Sequence, residues 1–125
     1  MSTVKIPDRT AVWIGSAASC LLAASQAVAH AKLQAATPAA DSTVDAPKVI
    51  QLHFSEAVEA SLSRLKLAAG GDIAVAVVPM KDTKDPTALS IRPIAALKPG
   101  TYTVTWSVVA DDGHRTRGTY SFTVR

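Results

Sequence analysis

Between Val49 and the C-terminus, three stretches of this 125-residue chain place apolar residues at every second position. That period decides what the chain can fold into. Ile50, Leu52 and Phe54 alternate with Gln51, His53 and Ser55. Tyr102, Val104, Trp106 and Val108 alternate with Thr103, Thr105 and Ser107, and Tyr120, Phe122 and Val124 alternate with Thr119, Ser121 and Thr123. Successive side chains of a strand point to opposite faces, so each run offers one apolar face to a core and one polar face to water. Ser63 to Leu67 and Leu89 to Arg92 predict shorter strands, and the β-branched run Ile73 to Val78 predicts another, ended by Pro79. Ala69-Gly70-Gly71-Asp72 and Leu97-Lys98-Pro99-Gly100 have turn composition, and Lys81 to Pro86 reads as an exposed polar loop. A helical pattern is confined to one turn around Val58 to Leu62. Six or seven short strands at this spacing predict an all-β sandwich or small Greek-key barrel. Trp106 is expected in its core, Tyr102 is expected to plug a strand corner through its hydroxyl, and Gly113 is expected at positive φ.

The first 29 residues follow another rule. Lys5 and Arg9 give a positive start, Ala11 to Ala24 carry no charge, and Ala27-Val28-Ala29 ends the segment on small residues. This order is that of a secretory signal peptide, with cleavage expected after Ala29. The apolar run is too short for a spanning helix, which needs roughly 20 residues. Two domains of the sequence follow: a signal at 1–29 and a β domain at 30–125. The exported chain would keep 96 of the 125 residues and lose Lys5, Arg9 and Asp8, lowering the net charge from +3 to +2. Cys20, the single cysteine, goes with the signal, so the fold must rest on packing rather than disulfides. The expected location is the periplasm, in a form not embedded in the membrane.

So small a basic excess, with Arg115 and Arg117 as its one pair near a loop, argues against nucleic acid as a partner. Both arginines are expected in solvent. The chemistry-bearing residues are the histidines. Cleavage would make His30 the first residue, giving it a free α-amine beside its imidazole, two nitrogens able to chelate one ion. An α-amine has a pKa of roughly 7.7–8.0, within reach of a strongly bound metal. His114 follows Asp112 across Gly113, so both side chains can face one way. Together these residues offer three nitrogens and one carboxylate oxygen, a donor set that suits Cu(II). Asp-Gly-His is equally a plain turn carrying a surface histidine. His53, opposite Ile50, Leu52 and Phe54, reads as a surface strand residue.

Two stretches carry a family resemblance. His30-Ala31-x-Leu33, Thr37-Pro38-Ala39, Asp41-Ser42 and Ala46-Pro47-x-x-Ile50-x-Leu52-x-Phe54-Ser55-Glu56-x-Val58 resemble the opening of CopC-type copper-resistance proteins. Leu97-x-x-Gly100-x-Tyr102-x-Val104-x-Trp106-x-Val108-x-x-Asp111-Asp112-Gly113-His114, continuing to Gly118-x-x-x-Phe122-x-Val124, resembles their closing half. The resemblance implies an immunoglobulin-like Greek-key β-sandwich or barrel of about seven strands that binds copper in the periplasm. It also implies Cu(II) held by His30 (amine and imidazole), Asp112 and His114. Longer members carry a methionine-rich Cu(I) site, which is not expected here because Met80 stands alone in the exported chain.

The function expected is therefore copper homeostasis or resistance, as a carrier or buffer without enzymatic turnover. The partners are the copper ion and, since some members are fused to a permease, a separate inner-membrane copper permease; the protein is expected to be monomeric. Two other readings remain open at this point: a metal-free β-sandwich interaction module, and a copper-dependent oxidative enzyme.

Overall fold

A computed structural model describes residues 30–81 and 84–125. Residues 1–29, where a signal and its cleavage point are expected, and Asp82 and Thr83 of the expected polar loop lie outside the described residues. The strands are β1 (Leu33–Thr37), β2 (Thr43–Val44), β3 (Ile50–Phe54), β4 (Arg64–Ala69), β5 (Ile73–Val75), β6 (Val77–Met80), β7 (Ala88–Pro93), β8 (Gly100–Val109) and β9 (Arg115–Val124), with a 3₁₀ turn at Ala60–Leu62. They form a four-stranded sheet, β1-β3-β7-β6, and a five-stranded sheet, β2-β9-β8-β4-β5. This is the all-β sandwich that the alternation predicts.

Nine strands stand among the described residues where about seven were expected, for two local reasons. The two-residue β2 pairs in parallel with the end of β9 and has no period of its own to read. The run Ile73 to Val78 is not one strand ended by Pro79. It divides at Ala76 into β5, which pairs with β4, and β6, which pairs with β7 in the other sheet. Ile94 N–H donates to the Ala76 carbonyl at 3.1 Å, fixing the crossing point. Pro79 sits within β6 because β6 is an edge strand, where a missing N–H can face outward.

The core forms where the two inner faces meet. Ile50, Leu52 and Phe54 of β3 face Tyr102, Val104, Trp106 and Val108 of β8 and Tyr120, Phe122 and Val124 of β9, all less than 10% exposed. Phe54 and Trp106 meet edge to face across the sandwich, ring centroids 5.3 Å apart and planes at 69°. Behind Trp106, its cross-strand partner is Gly118. A Cβ built on Gly118 would overlap the indole, so the lack of a side chain is what lets the ring lie flat on β9. Tyr102 does close a strand corner, its hydroxyl donating to the Lys98 carbonyl at 2.7 Å. Among the described residues, Tyr120 is the exception to polar satisfaction: its hydroxyl is buried without a hydrogen-bond partner, and burial pushes its pKa up to about 12.

The Trp106–Gly118 fit yields a prediction. Gly118→Ala should destabilise the domain by about 1–3 kcal/mol, the usual cost of overpacking. For a domain of this size each kcal/mol lowers Tm by roughly 4–8 °C, which thermal unfolding followed by Trp106 fluorescence would show.

Candidate metal centre

β8 and β9 form one long hairpin, paired from Gly100↔Val124 to Val109↔Arg115, and Asp112 and His114 lie in the loop at its tip. The loop is closed by Ala110 N–H donating to the His114 carbonyl at 2.9 Å and Gly113 N–H to the Ala110 carbonyl at 2.8 Å. Gly113 has φ of 89°, the left-handed conformation expected from the sequence. The base of the loop is held against the segment after β3. Val58 bridges Ala110, Glu59 N–H donates to the Val109 carbonyl at 2.8 Å, and Asp111 N–H to the Ala57 carbonyl at 3.3 Å.

Within the loop Asp112 folds back on His114. One carboxylate oxygen accepts the His114 backbone N–H at 2.9 Å, and the other lies 2.9 Å from His114 Nδ1. The backbone hydrogen bond from His114, then its side-chain hydrogen bond, and to a lesser extent the charges of His114 and His30, hold the Asp112 carboxyl below its ordinary range against the opposing effect of desolvation. An ionised carboxylate can only accept, so Nδ1 carries the proton. In the neutral ring the lone pair then sits on Nε2, free to bind a metal.

The other half of the site arrives from the start of β1. His30 is exposed, but the residues beside it are pinned. Ala31 is 1% exposed, and its carbonyl accepts the Thr116 hydroxyl at 2.8 Å. Lys32 N–H donates to Ser55 Oγ, and Ser55 N–H returns a bond to the Lys32 carbonyl, both at 2.8 Å. Ser55 Oγ also approaches the His30 carbonyl at 3.4 Å. Residue 30 is thus tied to the end of β3 on one side and to the base of the hairpin on the other. Its imidazole meets that of His114 edge-on, ring centroids 5.6 Å apart and planes at 71°.

All three residues singled out in the sequence are brought to one end of the sandwich. Among the described residues, however, no three His, Cys, Asp or Glu side chains already stand in the arrangement that would hold an ion. In the loop both Asp112 oxygens are engaged by His114, one by its backbone N–H and one by Nδ1. His53 is elsewhere, half-buried on β3, with Gln51 Oε1 3.1 Å from its Nε2 and Asp85 3.6 Å from its Nδ1. Thr87 donates two hydrogen bonds to Asp85 and holds its carboxyl below the usual range. No local pattern marks Ser55 and Thr116 as tethers; Thr116 stands between two arginines, where alternation shows only that it faces inward. Arg115 is exposed as expected, yet it donates to Ser107 Oγ at 2.6 Å and to the Leu62 carbonyl at 2.9 Å, bracing the hairpin stem.

The CopC domain model matches residues 33–125. The chain belongs to the CopC family of copper-resistance proteins. It is 43% identical over 99 residues to Protein YobA of Escherichia coli K12, covering 78% of this chain and 80% of that protein. Copper resistance protein C of Escherichia coli is 38% identical over 109 residues, covering 79% and 84% of the two chains. The crystal structure of PcoC, described as a methionine-rich copper resistance protein from Escherichia coli, superposes with a TM-score of 0.72 at 39% identity. That match covers 78% of this CopC-family chain and all of PcoC.

Thr116 offers a test of the tether that needs no metal. Thr116→Val keeps the shape but strips the Ala31 carbonyl of its donor. The expected cost is about 0.5–1.5 kcal/mol, with faster hydrogen exchange at the Lys32 amide. Unchanged exchange there would show that Thr116 does not secure the segment.

Proposed function

We propose that the chain is a periplasmic carrier or buffer that holds one Cu(II) ion as cargo, without turnover, in copper homeostasis or resistance. The observation that carries this reading is the approach of two imidazoles from opposite ends of the chain, His30 and His114, with the Asp112 carboxylate beside them. In this reading the signal is removed after Ala29. His30 then binds through its α-amine and imidazole, His114 through a ring nitrogen, and Asp112 through a carboxylate oxygen, each oxygen keeping a second lone pair beyond its present hydrogen bond. Three nitrogens and a hard oxygen favour Cu(II) over Cu(I), which prefers sulfur. Sulfur is scarce: PcoC is described as methionine-rich, whereas this chain has two methionines. Of these, Met80 lies on β6, the edge of its sheet opposite β1. Copper would pass to or from a separate inner-membrane permease, and the protein would act as a monomer.

The preformed parts of the site are backbone parts. The hairpin loop and the anchored 30–32 segment would fix where the donors stand, leaving only side-chain adjustment for the ion to order. Ordering few groups on binding keeps the entropic cost low.

The mass of the exported protein should correspond to a chain starting at His30. An added N-terminal residue blocks chelation by the amine and imidazole together, so Cu(II) affinity should fall by about two orders of magnitude or more, near 3 kcal/mol. His114→Ala should alter the Cu(II) EPR spectrum, while His53→Ala should leave it unchanged. Equal affinity for extended and cleaved protein would remove the amine from the donor set. Since nitrogen donors must shed protons to take a metal, affinity should also weaken steadily from about pH 8 to about pH 5, a titration by competition with a copper chelator.

A further inference from the structure

The side of the sandwich carries a feature the copper site does not use. β4 is paired with β8 along its whole length, Arg64 to Ala69, but β5 covers only Leu67, Ala68 and Ala69 on its other side. At Ala76 the chain leaves that sheet for the other one, so the edge of β4 from Arg64 to Lys66 has no strand partner among the described residues. Beyond this edge lies a cavity of about 340 Å³, bounded across the gap by β6. Its floor includes Leu65, Leu89 and Met80, the last 41% exposed, and its rim carries the exposed cations Arg64, Lys66 and Lys81. No acidic side chain stands among the described residues that line it.

An unpaired strand edge presents free backbone donors and acceptors to any extended chain that reaches it. Soluble proteins normally cover or charge such edges, and here the charges are all of one sign. We propose that this cleft receives an extended acidic segment of a partner protein, which adds as a short strand along Arg64 to Lys66 in the place β5 vacates. Main-chain bonds to β4 supply the pairing, and alternate apolar side chains of the segment reach Leu65, Leu89 and Met80. Its carboxylates meet the three cations on the rim, which select acidic over basic partners and speed encounter. The backbone edge favours a peptide over a lipid-like anion, which has no amides to pair. The inference does not depend on copper, because the cleft shares no residue with His30, Asp112 or His114.

The test is a two-dimensional amide NMR titration of the isotope-labelled protein with the blocked peptide acetyl-Glu-Val-Glu-Val-Glu-amide. The expected result is saturable shifts centred on Arg64, Leu65, Lys66 and Met80. The same peptide with lysine for glutamate should bind at least about tenfold more weakly, as like charges repel across an interface. The version with proline for valine, which cannot donate from those positions, should also lose binding. In the double variant Arg64→Glu, Lys66→Glu the preference should invert toward the lysine peptide. Absence of saturable shifts up to millimolar acidic peptide would overturn the proposal, as would equal binding of both charge versions or shifts spread over the β1 and β2 edges. Decanoate is the remaining arm. If it moves these amides and the peptides do not, the cleft takes an anionic amphiphile and the peptide assignment falls.

Discussion

The edge-to-face contact of Phe54 with Trp106 is the joint between the two sheets on which the candidate site depends. Phe54 ends β3, and the next residue, Ser55, is the one that receives the Lys32 amide. Trp106 lies in the upper part of β8, a few residues before the loop that carries Asp112 and His114. The indole is held from behind by Gly118 and from the front by Phe54, so the distance between the sheets is fixed close to where His30 and His114 must meet. Close-packed interiors transmit such displacements rather than absorb them. A shift in this aromatic pair would therefore move one half of the candidate site relative to the other.

The two halves of the site are prepared by different means. Asp112 and His114 are held by a local device, a five-residue loop whose own backbone bonds and positive-φ glycine set its shape. His30 is held by long-range bonds alone, since no helix or turn lies between it and β1. Neither half involves large apolar burial, and both histidines are exposed. Such exposure would suit the proposed carrier, which would have to admit and release an ion rather than enclose it. The ionised Asp112 holds the His114 ring in one orientation, with the proton on Nδ1.

Much of this was legible in the sequence because alternation and turn chemistry are local. Ile50, Leu52 and Phe54, and the inward residues of β8 and β9, reveal their face by period alone, and they are the core. Gly113 and Tyr102 could be assigned from their immediate neighbours. The division of Ile73 to Val78 could not, because the run is apolar throughout and nothing in it marks Ala76 as the point where the chain changes sheet. β2 was hidden for a related reason: two residues make no period. At the site, the residue types pointed to His30, Asp112 and His114, but Ser55 and Thr116 act through partners 23 and 85 positions away in the chain. Such pairings are a property of the topology, and no spacing rule reads them. Arg115 shows the same limit, since exposure was predictable from its charge but its bonds to Ser107 and Leu62 were not.

The bond from Thr116 to Ala31 joins the opening of the β domain to its final strand. An ion shared by His30 and His114 would add a second closure at the same place, encircling most of the β domain. Exported domains of this length often obtain such a staple from cystine, yet the chain's one cysteine lies at position 20, ahead of the β domain. Here the cross-link would be the cargo itself, so the loaded protein would be harder to unravel than the empty one, and proteolytic turnover would fall first on molecules carrying no metal.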